Sequence, residues 1–303
     1  MNGNRIITVI LYLIAIGIIC GIIIYRYNSS KYKKLNETLR QNQYQAKLDV
    51  IKERDKQITI YEAMIENNRK EAKVRVTGKM RDQDLNEYNT VKIGNQEWMA
   101  ENMRATHDRY GNPIELGESD EKDTGAPYRF NALGGPLGSS TDLKRNGYLY
   151  NWEAAMNICP NGWHLPTDEE WKQLEEYVSS QSKYVCGKDK KNIAKALADT
   201  IGWPNKTEII AEKYRYYLRS SGSIGSLSTQ FGSIADYPKA NNGTGFSACP
   251  AMHEKFGECR AFFWSATENE NMAYSRTLYE SQADLGRSTY EKYFGLSVRC
   301  IKD

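Results

Sequence analysis

Cysteine and histidine are the residues of this chain whose side chains could act as nucleophiles or bind a transition metal. There are six cysteines and three histidines in 303 residues. The histidines, His107, His164 and His253, stand in unrelated contexts, and no two cysteines have the Cys-x-x-Cys spacing of a zinc site. Neither a Gly-x-Ser-x-Gly nor a His-Glu-x-x-His motif is present. We therefore expect no enzymatic activity and no bound metal, and we expect His164 to hydrogen bond to backbone.

The cysteines have a structural interpretation instead. Cys249 and Cys259 flank a nine-residue segment, and we predict that a disulfide between them closes a loop. Cys186 is then left over: it is free, pairs between chains, or has lost its partner. Five of the six cysteines lie in residues 76–303, which indicates that this part of the chain faces an oxidising compartment.

The C-terminal part contains polar and aromatic side chains that could bind a ligand. Amide, carboxylate, guanidinium and phenol groups cluster between Trp264 and Val298, whereas the flanking residues have a core character. The alternative is that they form an ordinary solvated face of a sheet. The candidate contact residues are Glu268, Asn269, Asn271, Tyr274, Arg276, Tyr279, Asp284, Arg287, Ser288, Tyr290 and Tyr293.

Calcium is the one cofactor that these candidates could hold. Glu268 and Asp284 could supply oxygen ligands. The Trp-Asn-Asp and Glu-Pro-Asn patterns of calcium-dependent lectins are absent, since Trp264 is followed by Ser-Ala-Thr. We therefore predict no cofactor.

A helix beginning at Asp168 is the best-defined element that positions these residues. Thr167 and Glu170 have the spacing of a capping box, and apolar residues follow at helical intervals from Trp171 to Val178. A short strand and a small helix precede it over residues 148–159, and a second amphipathic helix is predicted over residues 190–200.

Strands are predicted on both sides of this helical part. Residues 88–93 and 97–99 form a hairpin around Gly94-Asn95, with Trp98 and Met99 in the core. From Phe262 onward, four short β-prone runs alternate with turns, the last of them over residues 294–301. The C-terminal part is therefore predicted to be an antiparallel meander.

The N-terminal residues differ in character from the rest. Ile6–Tyr25 is an uncharged run of 20 residues, which as a helix spans the ~30 Å hydrocarbon layer of a membrane. We predict a transmembrane anchor within residues 1–30 rather than a cleaved signal peptide, because no small-x-small cleavage site precedes Tyr27. We therefore expect the protein to interact with a membrane through residues 6–25. Cys20 lies within the run, but Ile19 disfavours lipidation there.

Residues 31–75 contain no glycine or proline up to Lys73 and are dominated by charged and amide side chains, which predicts a helical stalk. Apolar residues recur at 3–4 spacing from Tyr44 to Ile65. They indicate either a coiled coil that makes a homo-oligomer or a single helical spacer.

The distribution of charge argues against nucleic acid as a partner, but it conflicts with the cysteines over the side of the membrane on which the C-terminal part lies. The net charge is only +3, with 41 basic and 38 acidic residues and no basic block in the globular part, so nucleic acid is not expected. Four basic residues after the anchor would place the C-terminal part in the cytoplasm by the positive-inside rule. The cysteines favour the periplasmic or extracellular side, and we follow them.

Six ordered motifs give this chain a resemblance to a known family. They are Val91–Met103, Gly147–Trp152, Cys159–Thr167, Thr244–Ala248, Phe263–Glu268 and Gly295–Asp303. Together, over about residues 76–303, they resemble the Fibrobacter succinogenes major paralogous domain of bacterial surface-associated proteins. The fold that this resemblance implies is α+β and C-type-lectin-like, with two or three helices and short antiparallel strands, related to formylglycine-generating enzymes and to retroelement variable proteins.

The resemblance adds a disulfide and a function. In lectin-like domains a cysteine pair closes the ends of the domain, which implies a bond between Cys159 and Cys300. Oxidase activity would need a dedicated cysteine pair, and the cysteines here look structural. We expect an extracytoplasmic recognition or adhesion module that binds a glycan or protein ligand through its C-terminal strands and loops. The alternatives are a structural surface-assembly protein and a retroelement-diversified receptor that is variable over residues 269–293.

Overall fold

The computed structural model describes residues 3–118, 125–134, 142–205, 233–252 and 259–303. The side chains of residues 3–13, and of some positions between 54 and 76, lie outside the described part, as does His253. The chain divides into two units, Met1–Ile60 and Tyr61–Asp303.

The elements within those ranges are mostly short. The helices are α1 (Gly3–Arg75), α2 (Leu143–Asn146), α3 (Trp152–Ile158), α4 (Asp168–Ser180) and α5 (Ala194–Leu197). The strands are β1 (Val76–Arg81), β2 (Glu87–Ile93), β3 (Gln96–Met99), β4 (Glu115–Leu116), β5 (Tyr128–Asn131), β6 (Leu133–Gly134), β7 (Tyr148–Tyr150), β8 (Trp163–His164), β9 (Ala251–Met252), β10 (Arg260–Asn269), β11 (Met272–Tyr279), β12 (Gly286–Glu291) and β13 (Ile301–Lys302).

Helix α1 runs without a break through the predicted anchor and the predicted stalk. Among the residues whose side chains are described, no helix contains a stretch that is long and apolar enough to cross a membrane. The predicted anchor at residues 6–25 falls partly on residues 3–13, which are outside that part. The boundaries at residues 30 and 75, and self-association through the stalk, stay predictions.

The strands form three sheets in which antiparallel pairing dominates. Their orders are β1-β2-β3-β13-β8, β12-β11-β10-β9-β6 and β4-β5-β7, with parallel pairing only between β9 and β10 and between β4 and β5 among the described strands. The first sheet joins the predicted hairpin to the C-terminus, because Trp98 on β3 pairs with Ile301 on β13. The protein is therefore mixed α+β with antiparallel sheets and few helices, as predicted at that level.

The helix at Asp168 forms as predicted. The Thr167 side chain accepts a hydrogen bond from the Glu170 amide, and the Glu170 carboxylate accepts one from the Thr167 amide. Trp171 on its buried face lies 4.7 Å from the Trp98 ring, and both rings are less than 2 % exposed. Phe246 and Phe263 complete this aromatic core, with ring centroids within 6 Å of Trp171. Because Trp98 comes from the hairpin, this core joins both halves of the domain.

Two predicted elements are shorter than expected. The helix predicted over residues 190–200 is only α5, because the amides of Thr244 and Ala248 bind the carbonyls of Ala196 and Leu197 and hold the chain extended after them. The strand predicted over residues 294–301 is reduced to β13, in the first sheet rather than in the meander. Tertiary hydrogen bonds outweigh local pattern at both places.

The predicted disulfide between Cys159 and Cys300 is confirmed, with Cα atoms 5.8 Å apart. The predicted bond between Cys249 and Cys259 is not formed. The Cys249 thiol instead donates a hydrogen bond to the carbonyl of Arg145 at 3.0 Å and accepts one from the Asn102 side chain at 3.5 Å. These two hydrogen bonds direct the Cys249 sulfur towards α2 and not towards Cys259, which corrects the predicted disulfide.

Candidate functional site

Two of the predicted ligand contacts, Arg276 and Arg287, bind Asp168 at the first turn of α4. They lie opposite each other on β11 and β12, so both guanidinium groups reach the same face of the sheet. Arg276 Nη1 donates to Asp168 Oδ1 at 2.6 Å, and Arg287 donates through Nε and Nη2 at 3.0 and 2.9 Å. We call these three residues the Asp168 cluster.

The Asp168 cluster links parts of the fold through intramolecular ion pairs and does not form a ligand-binding surface. Burial by itself would raise the pKa of Asp168, but hydrogen bonds from Arg287 and Arg276 outweigh it and hold that pKa below its usual value. Arg276 is 1 % exposed, whereas the Arg287 side chain is about half exposed and lies 3.8 Å above the Tyr274 ring. Arg276 is thus inaccessible to a ligand, which corrects its prediction as a surface contact.

The other polar candidates are not brought into one site. Glu268 forms an ion pair with Lys292 at 3.1 Å. Asn269, Asn271 and Asp284 are exposed, and Ser288 is half-buried. Among the described residues, no group of three or more His, Cys, Asp or Glu side chains could hold a metal ion.

Three predicted tyrosines do come together. Tyr290 hydrogen bonds to Tyr279, and burial together with this neighbour raises the pKa of Tyr290. Its ring lies 5.4 Å from Phe262 and 5.9 Å from Phe294, and Phe294 stacks on Tyr293 at 4.8 Å. We call these five residues the aromatic band. Four of its rings are half-buried, so parts of them face solvent, whereas Phe262 is buried beneath them.

A cleft lies elsewhere in the described structure. Its volume is about 470 Å³, and six segments contribute to it: β2, the segment after β3, α2 with its N-cap, the segment after α5, the segment before β9 and the segment before β13. Its lining residues are Asn89, Val91, Ala100, Glu101, Asp142, Lys144, Arg145, Asp199, Asn242, Gly245, Ser247, Cys249 and Arg299. It shares no residue with the aromatic band or the Asp168 cluster.

Arg299 is the most deeply buried charge in the cleft. Its guanidinium donates to the Asn102 side chain and to the carbonyls of Met99, Phe246 and Ser247, at 2.6–3.1 Å. None of these acceptors is a carboxylate. Burial lowers the pKa of Arg299 to about 10, which leaves it cationic at neutral pH.

The remaining charged groups of the cleft differ in how far they are satisfied. Glu101 is paired with Arg104 at 3.1 Å and accepts the Asn89 amide. Arg145 Nη2 is buried and has no acceptor among the described residues. Asp199 accepts only the Thr200 hydroxyl and the Ile201 amide, both at 3.3 Å, and no cation pairs with it in the described chain.

The cleft thiol and the two described histidines, His107 and His164, are held by contacts within the fold. Burial raises the pKa of Cys249 to about 11, so the thiol is protonated at neutral pH. His164 does not bind backbone as predicted: its ring nitrogens contact Asp303 at 2.6 Å and Glu170 at 2.8 Å. His107 contacts Asp84. Both described histidines therefore join separate segments of the fold.

The cleft was missed in the sequence because its residues come from six separated segments. No short motif links Arg145, Asp199 and Arg299, and each is an ordinary surface residue by type. The available signals were the segments Thr244–Ala248 and Gly295–Asp303, which were noted only for a family resemblance. Sequence spacing could not show that both approach α2.

Comparison with known proteins gives one match. No curated protein and no solved structure matches the chain. Residues 91–302 match the family model of the Fibrobacter succinogenes major domain, and this segment includes every strand from β3 onward, the disulfide, the aromatic band and most of the cleft. The chain therefore belongs to the Fibrobacter succinogenes major domain family.

Proposed function

We propose that this protein is a recognition module that acts outside the cytoplasm and binds a glycan or protein ligand through the aromatic band. The observation that carries the proposal is that Tyr279, Tyr290, Tyr293 and Phe294 lie together with their rings half-buried, so that part of each ring faces solvent. The other face of the sheet that carries Tyr279 and Tyr290 packs on α4. Four polar candidates lie close to these aromatic residues in the sequence and would contribute to the rim of the surface. They are Glu268, Asn269, Asn271 and Asp284.

The chemistry of the band suits recognition. Tyrosine offers a rigid apolar ring with a polar hydroxyl and loses little conformational entropy on binding. Packing of Tyr290 between Phe262 and Phe294, and of Tyr293 on Phe294, fixes the rings before a ligand arrives. Preorganisation of this kind lowers the entropic cost of binding. Arg260, whose guanidinium lies 4.8 Å from the Tyr279 ring, adds a charged donor at one end.

Location outside the cytoplasm is part of the same proposal. The disulfide between Cys159 and Cys300 supports it, since such bonds persist in oxidising compartments. Attachment to a membrane would depend on the uncharged run at residues 6–25, for which the support is the sequence alone.

We also propose that the fold is C-type-lectin-like. Its support is that the first and last strands of the family domain meet in one sheet, through β3 and β13, and that a disulfide links the chain end to α3. The family match is consistent with this assignment.

The test is a glycan and surface-protein array probed with the full-length protein under oxidising conditions, with and without calcium. We expect a saturable signal that Tyr293→Ala and Tyr290→Ala each reduce about tenfold or more, since each removes a large contact surface. Tyr110→Ala is the matched control, because Tyr110 is 72 % exposed and lies outside the band.

Two outcomes would contradict the proposal. A signal that survives both band variants would show that the ligand binds elsewhere. Silence from a folded, disulfide-bonded protein, together with stable self-association through residues 31–75, would favour the structural surface-assembly alternative. Adenine-rich codons over residues 269–293 and a nearby template copy in the gene would favour the retroelement-diversified receptor.

A further inference from the structure

We infer that the cleft is a second binding site, and that its ligand is a sugar acid whose carboxylate is held by Arg145 and whose hydroxyls are held by Asp199 and the 242–247 segment. This inference does not require the aromatic band to bind anything. The two surfaces share no residue, so either can fail without the other.

The first step concerns the charges that line the cleft. The cations are Lys144, Arg145 and Arg299, and the carboxylates are Glu101, Asp142 and Asp199. Arg299 binds only neutral oxygens, and Arg145 has a buried Nη2 without an acceptor in the described structure. The carboxylate of Glu101 is already neutralised by Arg104. A buried guanidinium N–H without an acceptor is costly, and a carboxylate on a ligand would supply an acceptor.

Arg145 is the group best placed to take the anion. It lies on α2 beside the exposed Lys144 and lines the cleft, and its Nη2 lies close to Gly202. Arg299, by contrast, already donates four hydrogen bonds to protein and forms the floor. A planar guanidinium with an unused N–H matches a carboxylate in a directed hydrogen bond.

The second step concerns the neutral part of the ligand. Asp199 has only two long hydrogen bonds and no cation partner in the described chain, so its oxygens can accept from ligand hydroxyls. Asn242 and Ser247, which hydrogen bond to each other at 2.7 Å, add donors and acceptors on a wall that Arg299 holds through the Ser247 carbonyl. Carboxylate, amide and hydroxyl groups together suit a polyhydroxylated molecule.

The third step excludes other ligand classes. The lining contains no aromatic residue, and its apolar side chains are only Val91, Ala100 and the Cys249 thiol, so a flat apolar ligand has no surface to stack on. A phosphate alone would leave Asp199 facing like charge. The volume of about 470 Å³ exceeds what a simple anion fills and accommodates a monosaccharide.

The test is ligand-observed NMR with the full-length protein, using sodium D-glucuronate as the probe, D-glucose as the neutral analogue and inorganic phosphate as a competitor. We expect saturable transfer of magnetisation from the protein to glucuronate and little transfer to glucose. Added salt should weaken the binding of glucuronate, because salt screens the electrostatic attraction in the solvent-exposed part of the cleft. Arg145→Met should weaken glucuronate binding about tenfold, the usual effect of losing one charge-assisted hydrogen bond.

The controls separate this site from folding and from the aromatic band. Arg81→Met removes the same charge from an exposed side chain outside the cleft and should leave binding unchanged. Tyr293→Ala should also leave it unchanged. Asp199→Asn should weaken both sugars by the same factor, since it alters hydroxyl rather than carboxylate recognition.

Each remaining outcome overturns the inference in a defined way. Equal binding of glucose and glucuronate would remove the role of Arg145. Complete displacement by millimolar phosphate would indicate a general anion site. Absence of transfer to either sugar, from a protein with the native unfolding midpoint, would show that the cleft does not take a sugar acid.

Discussion

The Asp168 cluster and the cleft both contain arginines, and they differ in what the arginines bind. In the Asp168 cluster two guanidinium groups share one carboxylate, which closes α4 onto β11 and β12. A buried N–H without an acceptor occurs in both regions, at Nε of Arg276 and at Nη2 of Arg145. In the cleft, however, Arg299 has no carboxylate partner among the described residues. Residue type therefore does not distinguish a structural arginine from one available to a ligand, whereas the presence of a carboxylate partner does.

The disulfide offers the largest perturbation of this comparison. Replacing Cys159 and Cys300 together with serine should lower the free energy of unfolding by about 5 kcal/mol, since the bond joins residues 141 positions apart. Cys300 follows Arg299 directly, so amide hydrogen exchange should accelerate more at residues 242–249 than at residues 168–171. Urea unfolding and hydrogen exchange measure the two effects. Equal acceleration in both segments would contradict the second.

Arg276 should carry most of the stability of the Asp168 cluster. Arg276→Met removes the enclosed partner of Asp168, and we expect a loss of about 3 kcal/mol in the free energy of unfolding. Arg287→Met is the matched control, and we expect less than about 1 kcal/mol because that side chain is about half exposed. Equal losses in urea unfolding would show that burial does not separate the two arginines.

The Asp168 cluster should also respond to acid. Because the pKa of Asp168 is lower in the folded state than in the unfolded state, its contribution to stability is full above the unfolded pKa of about 4. That contribution is lost as the pH falls through the folded pKa. The difference in unfolding free energy between wild type and Asp168→Asn should therefore shrink in this window, as urea titrations at several pH values would detect. A constant difference would contradict the assignment.

His164 should give a smaller dependence of the unfolding free energy on pH than Asp168, and the dependence should have the opposite sign. Its partial burial lowers the pKa, but hydrogen bonds to Asp303 and Glu170 outweigh this and raise it above the ordinary value. Its stabilising contribution is therefore present below about pH 6.5 and is lost as the pH rises through the folded pKa. His164→Gln should remove this dependence, and His107→Gln serves as the comparison. Parallel pH profiles for wild type and His164→Gln would rule it out.

Arg145 should have the smallest effect on stability. Arg145→Met replaces a guanidinium whose Nη2 has no acceptor within the described chain, so the loss in unfolding free energy should not exceed about 0.5 kcal/mol. Thermal unfolding of the two proteins without ligand measures this. A loss as large as that of Arg276→Met would mean that Arg145 is structural and would remove the contrast between the two regions.

Short-range signals in the sequence predicted the elements around Asp168 well. The capping box of Thr167 and Glu170 and the hairpin at Gly94 each depend on residues a few positions apart, and both form as expected. Gly94 has a φ of +62°, a value that glycine adopts without steric cost. The family followed from ordered motifs for the same reason: the order of residues along the chain carries it.

Tertiary structure alone decided how the charged side chains are used. Asp168 and Arg276 are 108 residues apart, and whether that arginine is buried depends on where α4 packs against β11. The same holds for Cys249, whose sulfur binds the Arg145 carbonyl 104 residues away instead of Cys259. The cleft exists only because six segments converge. Hydrogen bonds and ion pairs between distant residues depend on packing, and sequence spacing does not encode distances across a core.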